Sequence, residues 1–204
     1  MFHANKSSTA GCSCALLCVA LCTVLVSGVA ELRARSGPQS PLAEDLDGKT
    51  LDPFAASEGR VLVLVFVRTD CPISNRYAPL LQKLSEKFRS RAKFWLVYPD
   101  RAETALQIKA HLRDYQYSIG ALRDTRRALV KRSQATITPE AAVFDSSGRL
   151  LYHGRIDNWF QDLGRSRPVA TTHELDDAIL AALDGRRIST EHVNAVGCYI
   201  SDLK

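Results

Sequence analysis

Leu62-Val63-Leu64-Val65-Phe66-Val67-Arg68-Thr69-Asp70-Cys71-Pro72-Ile73-Ser74-Asn75-Arg76-Tyr77-Ala78-Pro79 runs from an unbroken apolar segment through one cysteine into a helical pattern. Val61 to Val67 is short, rich in β-branched residues and bounded by Gly59 and by Asp70-Cys71-Pro72, which predicts a strand buried on both faces. Ile73, Tyr77, Leu80, Leu81, Leu84 and Phe88 then recur at helical spacing, leaving Arg76, Gln82, Lys83, Glu86 and Lys87 for solvent. Pro72 suits the first helical turn, and Asp70 or Ser74 is placed to cap it. A cysteine at that junction meets unpaired backbone N–H groups and the positive end of the helix dipole, which favour its thiolate. Cys71 is therefore the candidate nucleophile.

The same residues resemble the active-site helix of the thioredoxin superfamily: a cysteine after a hydrophobic strand, a second redox position at Ser74, and Pro79 eight residues after the cysteine as the helix kink. Thr136-Ile137-Thr138-Pro139 before Ala141-Ala142-Val143-Phe144 resembles the family loop in which a cis-proline, here Pro139, faces the cysteine. Asp145-Ser146-Ser147-Gly148-Arg149 reads as a hairpin turn into Leu150 to Arg155, like the family's closing hairpin. The closer likeness is to extracytoplasmic redoxin-like proteins, of the AhpC/TSA type or of the membrane-anchored thiol-disulfide oxidoreductase type. It spans roughly residues 42 to 183. It implies an α/β, three-layer fold: a central mixed sheet with a parallel portion and a C-terminal antiparallel hairpin, with helices on both faces. It also implies chemistry without a cofactor on a protein disulfide or thiol client, with an external thiol reductant. Pro139 would shape a groove in which a substrate backbone lies beside Thr138, and Thr69, Asp70, Pro72 and Ser74 would line the same site.

Two departures qualify that likeness. Ser74 stands where the family's reductants carry a second cysteine, so the site is CxxS and a local two-thiol cycle does not close. The peroxiredoxin signature is not met either, since Leu64 and Arg68 occupy its proline and threonine positions. Asp70, next to the thiol, opposes thiolate formation if it is close, and Thr69 or the backbone near Pro139 is placed to hydrogen-bond the sulfur.

Of six cysteines, Cys12, Cys14, Cys18 and Cys22 fall in the opening thirty residues, where Lys6 is the only charge and Ala15 to Ala30 is apolar. Residues 1–30 read as a secretory signal or an N-terminal membrane anchor through residues 15–30, followed by a polar linker over 31–41. The domain then runs over 42–185, and a tail over 186–204 carries Cys198. The small-residue approach to Cys198, Ala195-Val196-Gly197, would let a mobile tail bring a second thiol to the first. Tails ending Gly-Cys-Tyr-Ile resemble those of secreted redoxin-like proteins, which makes Cys198 a resolving cysteine by that likeness. A structural bridge and an unpaired or intermolecular Cys198 remain open, because a disulfide needs Cα atoms within about 7 Å.

The chain is 46% hydrophobic and 24% charged with a net charge of +5, an ordinary globular balance without a long basic block, so nucleic acid is not implied. Arg123, Arg126, Arg127, Lys131 and Arg132 read as a solvated helix face. Lys93 to Val97 predicts a second strand, followed by a helix with Ala105, Ile108, Leu112 and Tyr115 on one face. Thr171 and Glu174 fit a capping box for a last helix whose stripe is Leu175, Ala178, Ile179, Ala182 and Leu183. Between them, Ile156 to Ala170 is aperiodic, and reads equally as a partner-binding lip or as a packed connection plugged by Trp159 and Phe160. No metal ligand set is assigned; a soft-metal (copper) site from Cys71, Cys198 and a histidine, a thiol-dependent peroxidase and a non-catalytic binding scaffold are the alternatives to the oxidoreductase. Nothing in the sequence fixes an oligomeric state.

Overall fold

The computed structural model describes residues 43–200; the expected leader and linker lie outside the described residues. A hairpin comes first, β1 (Ala43–Glu44) and β2 (Thr50–Leu51), closed by Asp45, whose Oδ1 accepts the N–H groups of Asp47 and Lys49. The apolar run becomes β3 (Val61–Phe66), buried at every position. The helical pattern after it is divided into α1 (Pro72–Arg76) and α2 (Ala78–Phe88), with the junction at Tyr77 two residues before Pro79. Then follow β4 (Ala92–Tyr98), α3 (Ala105–Asp114), β5 (Gly120–Arg123), α4 (Ala128–Ser133), β6 (Ile137–Thr138), β7 (Glu140–Phe144) and β8 (Leu150–Gly154). The chain ends with β9 (Phe160–Asp162), β10 (Arg165–Ser166), α5 (Glu174–Leu183), β11 (His192–Val193) and β12 (Cys198–Tyr199).

Eight strands form one mixed sheet in the order β11-β8-β7-β3-β4-β5-β1-β2. β3, β4 and β5 are parallel neighbours, while β7 and β8 continue the sheet antiparallel as the expected hairpin. Alternation along β3 divides the core in two, because successive side chains point to opposite faces. Val61, Val63 and Val65 join Tyr77, Leu81, Leu84 and Phe88 of the active-side helix, Ile108 of α3 and Leu175, Ala178 and Ile179 of α5. Leu62, Leu64 and Phe66 meet Leu129 and Val130 of α4 on the other face. Helices thus cover both faces, as the α/β expectation requires.

Several local expectations need correction. α5 starts at Glu174 with His173, not Thr171, at its N-cap, and no side-chain cap. Asn158 Oδ1 accepts the N–H groups of Thr171 (2.7 Å) and Thr172 (3.2 Å), which holds both threonines in the preceding loop. The capping box instead opens α3, where Thr104 and Gln107 satisfy each other's backbone N–H groups. On α3, Ile108 is buried and Leu112 packs on the core as expected, but Tyr115 is exposed and His111 is buried in its place. The segment after α5 is seated rather than loose: β11 pairs in parallel with β8, and β12 pairs antiparallel with β6. Among the described residues no helix is long and apolar enough to cross a membrane.

Candidate functional site

Cys71 is the N-cap of α1, in extended conformation at φ −86° and ψ 109°, with Pro72 in the first turn and the Asn75 N–H donating to its carbonyl at 3.0 Å. β3 delivers it to the end of the sheet, and the Thr138-Pro139 peptide, which is cis, faces it. The Cys71 thiol donates to the Thr138 carbonyl at 3.2 Å. The sequence therefore located both halves of this contact, and the backbone beside Pro139, not Thr69, is the group that meets the sulfur.

Thr69 is otherwise engaged. Its N–H donates to Glu103 Oε1 at 2.6 Å and its carbonyl accepts from Asn75 Nδ2 at 3.1 Å, so it ties the loop before Cys71 to α1 and to the loop before α3. Asn75 Oδ1 in turn meets His111 Nε2 at 2.8 Å, and His111 Nδ1 meets the Tyr98 hydroxyl at 2.8 Å. This buried chain of Asn75, His111 and Tyr98 fixes the base of α1. Burial pushes the His111 imidazole down and the Glu103 carboxyl up. Sequence reading gave neither residue a role at the site, because their partners lie 34 and 36 positions away.

β12 completes the site. Cys198 is the register partner of Thr138, the Thr138 hydroxyl donates to the Cys198 carbonyl at 3.3 Å, and the Ile200 N–H donates to Thr136 at 3.0 Å. Gly197 permits this approach, since a Cβ there would overlap the Thr138 carbonyl oxygen. Val196 and Cys198 pack on the core cluster that includes Cys71, which is 0% exposed, whereas Cys198 is half-buried. Both are free thiols, and each shifts the other's ionisation.

The pair divides its protons unequally. Burial pushes Cys71 up, but the Ser74 hydroxyl and N–H, the Cys198 thiol and the Ile73 N–H outweigh it, and the net direction is down. Ser74 Oγ is fully buried and has no hydrogen-bond partner within standard geometry, so it does not cap the helix end. Burial, the hydrogen bond to Cys71 and the Cys71 charge push Cys198 up to about 11. Of the two thiols, Cys71 gives up its proton first. Asp70 does not oppose this as expected. It is exposed, and Arg68 holds its carboxylate at 2.9 Å.

Residues 59–150 match a family model described as thioredoxin-like. The fold is thioredoxin-like. The likeness extends to solved structures at low identity. A hypothetical protein of Sinorhizobium meliloti is 23% identical, with a TM-score of 0.65 over 78% of this chain and 88% of that one. An uncharacterized conserved protein of Geobacillus kaustophilus is 20% identical, with a TM-score of 0.68 over 78% of this chain and 86% of that one. A secreted disulfide oxidoreductase of Mycobacterium tuberculosis is 19% identical, with a TM-score of 0.50 over 68% and 93% of the two chains. No curated protein matches the chain.

Beside the site of this thioredoxin-like domain, the aperiodic stretch forms the β9–β10 hairpin, held by its base. The Tyr77 hydroxyl donates to Asp157 at 2.5 Å, Asp157 also accepts the Trp159 N–H, and Arg76 lies over the Trp159 and Phe160 rings. Trp159 and Phe160 do plug a packed connection, while Leu163 and Val169 point outward from it.

Proposed function

We propose that this chain is an extracytoplasmic thiol-disulfide oxidoreductase whose redox pair is Cys71 and Cys198. The observation that carries this reading is that both free cysteines meet at Thr138, whose carbonyl accepts the Cys71 thiol hydrogen at 3.2 Å and whose register partner in the ladder is Cys198. Cys198 supplies what the CxxS motif lacks. Location outside the cytoplasm rests on the leader-like run of residues 15–30. The likeness to a secreted disulfide oxidoreductase supports it.

The reduced protein acts with the Cys71 thiolate as nucleophile. It attacks one sulfur of a client disulfide, forming a Cys71–client mixed disulfide and releasing a client thiolate that takes a proton. Cys198 then gives up its proton and attacks the Cys71 sulfur. The internal disulfide forms and the client leaves with its second thiol. The client has gained two electrons and the Cys71–Cys198 pair has lost them; two equivalents of an external thiol return the pair to the dithiol and become a disulfide themselves. Ser74 and the Ile73 N–H stabilise Cys71 as the leaving thiolate in that return. Thr69, Asp70 and Pro72 frame the loop that presents it.

β12 lies against Thr138 in the place expected for a substrate backbone, so the tail acts as an internal pseudo-substrate that a client displaces. Complete burial of Cys71 favours a second reading, the non-catalytic scaffold. The full chain, equilibrated across reduced and oxidised glutathione and mapped after acid quenching and alkylation, separates them. The oxidoreductase gives a reversible Cys71–Cys198 disulfide, and Cys198→Ser accumulates a Cys71 mixed disulfide. A folded chain whose two thiols stay reduced at strongly oxidising ratios is a scaffold.

A further inference from the structure

Away from the thiols, three adjacent strands bring together two imidazoles and a carboxylate that the redox cycle does not use. Glu140 opens β7, His153 is on β8 and His192 is on β11, where it is the register partner of His153. Alternation places Glu140 on the sheet face of Ala142 and Phe144, and His153 is paired with Ala142. One ligand atom from each of the three residues lies within 4.8 Å of the others. We infer that Glu140, His153 and His192 form a binding site for a divalent metal ion of the zinc class.

The carboxylate is built in rather than adventitious. Glu140 is 2% exposed, and its Oε2 accepts the N–H groups of Thr136 (2.9 Å) and Ile137 (3.1 Å), which leaves Oε1 turned to His153 Nδ1 at 3.4 Å. Ligand atoms about 2.0–2.1 Å from a tetrahedral zinc ion stand about 3.3 Å apart, so this edge already has coordination length. His192 Nδ1 lies 3.2 Å from the His153 carbonyl, and a carbonyl only accepts. In the tautomer with its proton on Nδ1, that backbone acceptor orients the ring as it does for metal-bound histidines and Nε2 offers a lone pair to an ion. Nε2 now faces Asn194 Oδ1 at 3.0 Å, a contact that a bound ion replaces, and the two imidazole rings stack with centroids 4.2 Å apart. His192 is exposed and turns to complete the set. Two histidines and one glutamate hold zinc while leaving a coordination position for water.

Two ligands come from the domain body and one from the segment that leads to Cys198. An ion held there ties β11 to β8 and shortens the free tether of the redox tail to the residues after His192.

Zinc titration of the full chain by calorimetry, under a phosphine reductant and paired with cobalt absorption spectra, tests the site. Wild type is expected to bind one more equivalent than His192→Ala or His153→Ala, or to bind it at least about 100-fold more tightly, since even outer-shell partners are worth 10–100-fold. The cobalt difference spectrum should show tetrahedral d–d bands without sulfur-to-metal charge transfer. His192 is on the surface, so its variant folds even if Glu140→Gln does not. Unchanged stoichiometry and affinity in both histidine variants, or a lost metal that reports thiolate ligation, overturns the proposal.

Discussion

Cys198 and Thr138 are opposite each other in a two-stranded antiparallel ladder, and the Thr138 carbonyl also receives the thiol hydrogen of Cys71. One backbone carbonyl thus meets the Cys71 sulfur and lies beside the strand that carries Cys198. The relationship makes the tail part of the site, and it sets the first two predictions.

Gly197→Ala should open the site. The added methyl would overlap the Thr138 carbonyl oxygen and crowd Ile137 Cγ2, and backbone cannot yield as a flexible side chain does. Pulsed alkylation read by mass spectrometry should show Cys71 reacting at least about tenfold faster than in the parent. Disulfide yield between Cys71 and Cys198 should fall in parallel.

Thiolate absorbance against pH should rise in two steps. The first, from Cys71, is expected below the ordinary thiol value of 9.0, and the second, from Cys198, near 11. Cys198→Ala removes a hydrogen-bond donor and should move the Cys71 step upward. An unmoved step would mean that Ser74 and the Ile73 N–H alone set it.

Asp124 governs a pH window of stability. Burial pushes its carboxyl up from 3.8 to about 6, although it accepts the N–H groups of Ala128 and Val130 at the start of α4. A raised folded-state value means that the protonated form is favoured by folding. Its contribution is complete below about pH 4 and is lost as pH rises through about 6. Denaturant titrations of wild type and Asp124→Asn should therefore differ by about 1–3 kcal/mol more in favour of wild type at pH 4 than at pH 7. A difference that is flat with pH would refute the assignment.

Tyr77→Phe should cost about 1–3 kcal/mol, because it withdraws a buried donor from the Asp157 carboxylate. The β9–β10 hairpin should exchange its amide hydrogens faster, while the Thr138–Cys198 ladder keeps its protection.

The strand into Cys71, the helix after it, Pro139 and the Asp145–Arg149 turn were all readable, because each is written in neighbouring residues by periodicity or turn chemistry. β11 and β12 were not. A two-residue strand has no period, and its register is set by Gly154 and Gly197, whose missing side chains let backbone approach. The capping threonine was misplaced because the competition was won by Asn158, thirteen positions before Thr171. Glu103 and His111 share that difficulty, each acting through a partner far along the chain. Cys198 was identified by its chemistry, and only the fold could put it opposite Thr138.

The Gly154–Val193 contact has one more consequence. β8 would be the bare margin of the sheet without β11, and an uncovered margin invites pairing with another molecule. A side chain at Gly154 would collide with Val193 backbone, so the closure there is tight. Residues 194–197 separate that closure from Cys198. The last few residues can leave Thr138 while the seam beside β8 stays shut, so release of the tail does not uncover that margin.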